Sequence, residues 1–235
     1  MDCRIRTEEN LRYYEIDGKK YYSVTSILAA TLEKPELDAW RAMVGKEEAD
    51  RMARERAVIG SVCHYRILSK YSIRSLEPPT IHLPWKDLRE WLEELNYRGE
   101  LCEMMWQEAI DSIDLEPLYV EHTLVSHRHR FAGTFDMLAR IFDKDVLIDL
   151  KTSKELWEEY KLQLAAYAIL CRENGINVDM GMLVKLHPFE EGNPSLKAET
   201  VWLNGRELDS YGEKFLDLVR EFYEEKETDG DSPEL

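Results

Sequence analysis

The stretch FAGTFDMLARIFDKDVLIDLKTS, residues 131–153, decides how this chain is read. It holds two apolar runs, 131–142 and 146–151, parted by Asp143-Lys144-Asp145, and the pattern predicts two adjacent strands of one sheet. Residues two apart in a strand share a face, so Asp149 and Lys151 project together while Ile148 and Leu150 point the other way. VLIDLK is apolar enough for a central strand, where an Asp and a Lys are costly to desolvate unless each has a partner. By itself the tripeptide reads as a buried ion pair. Asp136, in the preceding strand, changes that reading: pairing of the two strands brings a second carboxylate to the same region, and two like charges held close call for a cation. Carboxylate oxygens completed by water and a backbone carbonyl suit Mg2+. Such an ion polarises a phosphodiester and activates a water, and a lysine beside it can orient that water or offset developing charge.

Working outward, residues 118–126 predict a strand before this pair, and 155–173 a helix after it, ended by Asn174-Gly175 as a C-cap. Strands over 178–187 and 198–203 and a helix over 207–223 follow. Upstream, RYYEIDGKKYYSV (12–24) alternates around Asp17-Gly18, a dipeptide suited to a type I′ hairpin turn. Helices are expected near 25–30 and 35–43, with a long one over 46–71 that contains Gly60. Pro78, Pro79 and Pro84 mark a loop, and Trp85, Leu88, Trp91, Leu92 and Leu95 stand at helical spacing beyond it. The expected architecture is α/β, with a mixed central sheet of four or five strands flanked by helices. The N-terminal hairpin and helices would form a wall beside the cleft. Residues 1–116 then form a hairpin and helical region, 117–223 the core, and 224–235 an acidic, disordered tail.

Composition narrows the setting. With 235 residues and 44% hydrophobic content the chain can bury a sizeable core. Its longest apolar run, residues 164–171, is far short of a membrane span, and no signal or transit peptide is legible in MDCRIRTEEN, so a cytoplasmic protein without a membrane partner is expected. Cys3, Cys63, Cys102 and Cys171 show no C-x2-C pair and read as free thiols. The net charge of -16 is unevenly spread: residues 221–235 carry seven acids and one base, residues 85–116 ten acids and three bases, and residues 41–74 eight bases and four acids. A nucleic acid would meet that last segment, which includes Arg54, Arg56 and Arg66. The basic turn His127-Arg128-His129-Arg130 reads equally as a phosphate contact or an ordinary charged hairpin loop. Four of the tryptophans, Trp40, Trp85, Trp91 and Trp106, read as helix-packing residues, with base stacking the other reading.

GTFD (133–136), DLKTS (149–153) and QLAAYA (163–168), with GSVCH (60–64) upstream, resemble in motif order the RecB-like branch of the PD-(D/E)XK nuclease superfamily. The nearest layouts are its mitochondrial-genome-maintenance-exonuclease-like and Cas4-like single-strand exonucleases. The resemblance covers residues 21–187. It implies a restriction-endonuclease-like core and a Mg2+- or Mn2+-dependent DNA nuclease, an exonuclease on single-stranded DNA or DNA ends. Asp136 and Asp149 would be metal ligands, the Leu150 carbonyl a further one, Lys151 the catalytic lysine, and His64 a helix histidine that reaches the metal. Gln163 and Tyr167, four apart on one helix face, match the Q-x-x-x-Y signature beside the active site. Glu121 sits where relatives carry an acid, and reads as site-lining or as a plain strand-end glutamate. Nothing after Cys171 is cysteine, so no iron–sulfur cluster is expected. A structure-specific endonuclease on the same core, or a non-catalytic nucleic-acid-binding protein with that fold, are the alternatives.

Overall fold

A computed structural model describes residues 3–8, 11–189 and 197–228. Asp17 and Gly18 both take positive φ, 50° and 77°, as a type I′ turn requires, and join β2 (Leu11–Ile16) to β3 (Lys19–Ser23). β1 (Cys3–Glu8) adds antiparallel to β2; all six of its residues are exposed, so no buried face marked it in the sequence. Three helices follow: α1 (Val24–Thr31), capped by Ser23, α2 (Pro35–Val44) and the long α3 (Lys46–Leu68). α4 (Leu88–Ile110) starts where the Asp87 carboxylate accepts from the backbone of Arg89 and Glu90. Its apolar stripe departs from the expected one: Trp91 and Leu95 are buried but Leu88 and Leu92 are exposed, and the seam continues through Cys102, Met105 and Trp106.

β4 (Leu115–Ser126), β5 (Phe131–Ile141) and β6 (Lys144–Lys151) form an antiparallel meander. α5 (Glu158–Glu173) crosses over to β7 (Met180–Lys185), which runs parallel to β6, and β8 (Glu199–Asn204) and α6 (Gly205–Thr228) complete the described chain. Asn174 and Gly175, the latter at φ 75°, end α5 as expected. The mixed sheet has eight strands rather than four or five, because β3 pairs with the start of β5 (Tyr22↔Phe131, Ser23↔Ala132) and carries β1 and β2 with it. The N-terminal hairpin therefore extends the sheet instead of standing beside a cleft. One core lies under α1, α5 and α6, and a second under α3 and α4, so helices cover both faces.

The acidic end also departs from expectation. α6 runs to Thr228 with Val219, Phe222 and Tyr223 on its buried side, so Glu224, Glu225 and Glu227 are solvated positions on a helix rather than a tail; residues 229–235 lie outside the described part. No described helix is long and apolar enough to cross a membrane. The four cysteines are free thiols, all but Cys3 buried.

β4 follows β5 along its whole length, but on the other edge β6 pairs only from Ile141↔Lys144 to Met137↔Ile148, and β3 only at Phe131 and Ala132. Beyond Ile148, β6 stays with β7 as far as Lys151↔Lys185. The two strands thus splay apart at Asp136 and Asp149. Gly133 borders this gap: a Cβ there would stand 2.7 Å from Cε1 of Tyr167, a rigid ring on α5. Gly133→Ala should destabilise the fold by about 1–3 kcal/mol through overpacking, read as a lowered urea midpoint with unchanged slope.

Candidate metal centre

Where β5 and β6 part, the backbone N–H of Leu150 donates to Oδ2 of Asp136 at 2.7 Å, so a carboxylate stands in for the missing strand carbonyl. That contact leaves Oδ1 of Asp136 facing Nδ1 of His64 at 3.4 Å. His64 arrives on α3, which approaches the end of β6 so closely that a Cβ on Gly60, one helical turn earlier, would lie 2.9 Å from Thr152 Oγ1. Glu121 comes from β4. It lies opposite Asp136 in the register, between the pairs Val120↔Met137 and His122↔Phe135, and its φ of 48° is left-handed, a strained setting for a non-glycine residue. One ligand atom each of His64, Glu121 and Asp136 lie within 4.8 Å of one another.

Asp149 and Lys151 occupy the same face of β6, as their spacing required. Nζ of Lys151 is 2.5 Å from Oδ2 of Asp149, and both side chains are nearly buried. The pair is not aligned as a hydrogen bond, so Asp149 Oδ2 is a buried carboxylate oxygen with no hydrogen-bond partner. Lys151 instead donates to Oε1 of Gln163 at 3.0 Å, and Gln163 Nε2 donates to the Tyr167 hydroxyl at 2.9 Å. Tyr167 thereby fixes which end of the amide faces the lysine. Nζ also sits 4.7 Å from the centre of the Tyr160 ring, a contact the sequence did not announce.

These contacts set the charges. Burial lowers the pKa of His64, but the Asp136 carboxylate outweighs it and holds the imidazole up at about 9. Asp136 is held low: burial raises its value, and His64, Lys151 and the Leu150 N–H together more than offset that. Burial pushes Asp149 up to about 6 despite Lys151, and Glu121 up to about 7, with Asp136 adding repulsion. For Lys151, burial favours the neutral amine, yet Asp149 and then Asp136 raise its pKa, so it remains an ammonium at neutral pH.

A divalent cation fits this donor set. Two carboxylates, Glu121 and Asp136, converge with the His64 imidazole, and the buried Asp149–Lys151 pair lies beside them, a mixed oxygen and nitrogen donor set of the kind a divalent ion takes. Of the expected ligands, His64 and Asp136 are brought together; Asp149 is adjacent but turned to Lys151, and Leu150 contributes its N–H to Asp136 while its side chain is buried. Glu121 joins the group more closely than its position as a strand-end acid suggested. The basic residues divide. Arg54 and Arg56 are exposed on α3, and Arg56 lines the cleft that reaches His64. Arg66, expected to meet nucleic acid, is committed inward to Asn96 at 2.8 Å and Glu103 at 2.9 Å. In the β4–β5 turn Arg128 is exposed, whereas Arg130 lies over the Tyr223 ring, 4.4 Å from its centre, and His129 faces Glu173 at 3.3 Å. This turn is five residues from Asp136 along β5, about 17 Å by strand rise. Trp85, Trp91 and Trp106 each donate an indole N–H within the protein, to Glu55, Ile81 and Tyr71.

No protein-family model matches the chain, and no curated protein matches it. Among solved structures it is similar to a phage-related exonuclease from Haemophilus somnus 129PT, at 12% identity over 74% of this chain and 82% of that one, with a TM-score of 0.37. It is also similar to an alkaline exonuclease from Laribacter hongkongensis, at 10% identity over 74% and 97% of the two chains, TM-score 0.34. That enzyme in complex with dAMP gives 14% identity over 75% and 96%, TM-score 0.32.

Metal ligation needs a neutral imidazole, and His64 in the free protein is held protonated up to about 9. Calorimetry of Mn2+ binding in buffers of different ionisation enthalpy should therefore show protons released at neutral pH, with roughly one fewer per ion in His64→Ala. The same shift bears on stability. A folded-state value raised from 6.5 to about 9 contributes stability that is complete below pH 6.5 and lost as the pH climbs through 9. Melting temperatures in EDTA should fall across that window in the wild type and stay flatter in His64→Ala; parallel profiles would refute the assignment.

Proposed function

We propose that this chain is a divalent-metal-dependent deoxyribonuclease of the RecB-like PD-(D/E)XK type, with a restriction-endonuclease-like core, acting on single-stranded DNA or on DNA ends. The observation that carries this reading is the meeting of Asp136, Asp149 and Lys151 at the splayed strand ends with His64 and Glu121 across the gap. Buried charge at this density is costly for a fold that needs only stability, since apolar side chains of similar volume would serve as well. Mg2+ or Mn2+ held by His64, Asp136, Asp149 and Glu121 would polarise the phosphodiester and lower the pKa of an attacking water. The imidazole among the donors favours Mn2+ as an effective substitute.

The chain's own groups do the rest. Lys151, protonated and fixed by Asp149 and Gln163, is unsuited to accept a proton and suited to offset negative charge developing on the phosphate oxygens. Gln163 and Tyr167 hold that ammonium in place and do not touch the reacting atoms. Arg56 at the cleft meets the incoming backbone of the strand, while Arg54, two residues earlier, is exposed on another face of α3.

End-labelled single-stranded DNA incubated with Mg2+ or Mn2+ should be degraded by the wild type and not by Asp149→Ala; equal degradation by both would trace the activity to contamination. Lys151→Ala should lose about 100- to 1000-fold in kcat while still binding Mn2+. Circular single-stranded DNA separates the modes, because an exonuclease leaves it intact and a structure-specific endonuclease does not need an end. A non-catalytic binding protein would retain DNA equally with and without metal.

A further inference from the structure

Beside the metal centre lies a cleft of about 580 Å3. One wall is a face of α3 that includes Arg56, Ser61, His64 and Tyr65, the other is the segment carrying Leu76 and Pro79, and Glu121 and Thr152 stand at its inner end. Two of these residues, His64 and Glu121, also belong to the metal-ligating group, so the cleft opens directly onto it. Tyr65 is singular in this molecule. The chain has twelve tyrosines, and the other eleven each engage a second ring, a cation or a hydrogen bond. Among the described residues Tyr65 has none of these partners. It is half-buried in the cleft wall, next in sequence to a metal-site histidine, and the same cleft is lined by the half-buried apolar residues Leu76 and Pro79 and by exposed Glu77.

We propose that this cleft is a nucleobase subsite, in which one unstacked base next to the scissile phosphate lies with its face on Tyr65 and its other side toward Leu76 and Pro79. The proposal rests on the nuclease reading above and specifies what the same site selects. An aromatic platform takes any base, because every base has a π-face. The Ser61 hydroxyl on α3 already donates to the Ala57 carbonyl at 2.9 Å, which leaves it acceptor capacity only. The subsite selects by strandedness: a base inside a duplex is stacked on both sides and cannot offer its face to Tyr65.

The test pairs a protein change with a substrate change. Short oligodeoxythymidylates, and the same oligomers with an abasic residue at one end or the other, are hydrolysed in Mn2+ by the wild type, Tyr65→Ala and Tyr65→Phe. We expect Tyr65→Ala to raise KM about tenfold, in line with the loss of one stacked base, with kcat and Mn2+ affinity little changed and Tyr65→Phe close to wild type. An abasic residue at the end that occupies the cleft should cost the wild type the same factor and cost Tyr65→Ala nothing further. The subsite is refuted if abasic substrates lose equally in both proteins, or if Tyr65→Phe fails as badly as Tyr65→Ala. Absence of any Mn2+-dependent hydrolysis by the wild type would instead overturn the nuclease reading, and this proposal with it. Should Tyr65→Ala prove unfolded by circular dichroism, Tyr65→Leu replaces it, with the same outcomes.

Discussion

The hydrogen bond from the Leu150 N–H to Oδ2 of Asp136 is the contact on which the rest of the site depends. A strand that leaves its neighbour exposes backbone groups, and a buried N–H without an acceptor costs as much as a lost hydrogen bond. By accepting it, a side chain lets β6 part from β5 without that loss. The same bond orients the carboxylate, so the oxygen left over points at His64 rather than back into the sheet. The geometry of the site and the end of the strand ladder are therefore one feature, and the carboxylate serves both at once.

Charge balance follows from that placement. Asp136 holds His64 protonated, Asp149 holds Lys151 protonated, and Glu121, strained on β4, is pushed toward neutrality by burial and by Asp136. The free protein thus balances its carboxylates with protons. Under the proposed function an incoming cation would take over the role of the proton on His64, which would couple metal affinity to pH. The overall charge of -16 is no obstacle to a polyanionic substrate in such a site, because acids cluster on α4 and at the end of α6 while Arg54 and Arg56 stand exposed on α3.

Strand parity made Asp149 and Lys151 legible, since a period of two needs no knowledge of the tertiary fold. Helical spacing puts Gln163 and Tyr167 on one face, but it is the resemblance to the Q-x-x-x-Y signature that marks them as site residues. Glu121 was harder, because its membership depends on a cross-strand register and a left-handed backbone, neither of which leaves a local hydrophobic signature. β1 escaped for a related reason: an edge strand exposed along its length shows no alternation of buried and free faces. Arg66 illustrates the limit of counting charges. Its sequence neighbours are basic, but the partners that claim it, Asn96 and Glu103, stand on α4 and are invisible to a local window. The sheet was underestimated because a parallel contact of two residues, Tyr22 and Ser23 on β5, suffices to join the hairpin to it.

Two glycines then set how far the helices stand from the splayed strands. At Gly60 the absent Cβ lets α3 come down onto Thr152, which brings His64, a turn further on, within reach of Asp136. At Gly133 it lets the Tyr167 ring lie against β5, which carries Gln163 to the level of Lys151. A side chain at either position would have to displace a neighbour, and the displaced groups are the ones that hold the histidine and the lysine. The glycines of GSVCH and GTFD thus belong to the site as much as the residues that bear its charges: close backbone approach fixes the two cations, and the strand splay between them fixes the two aspartates.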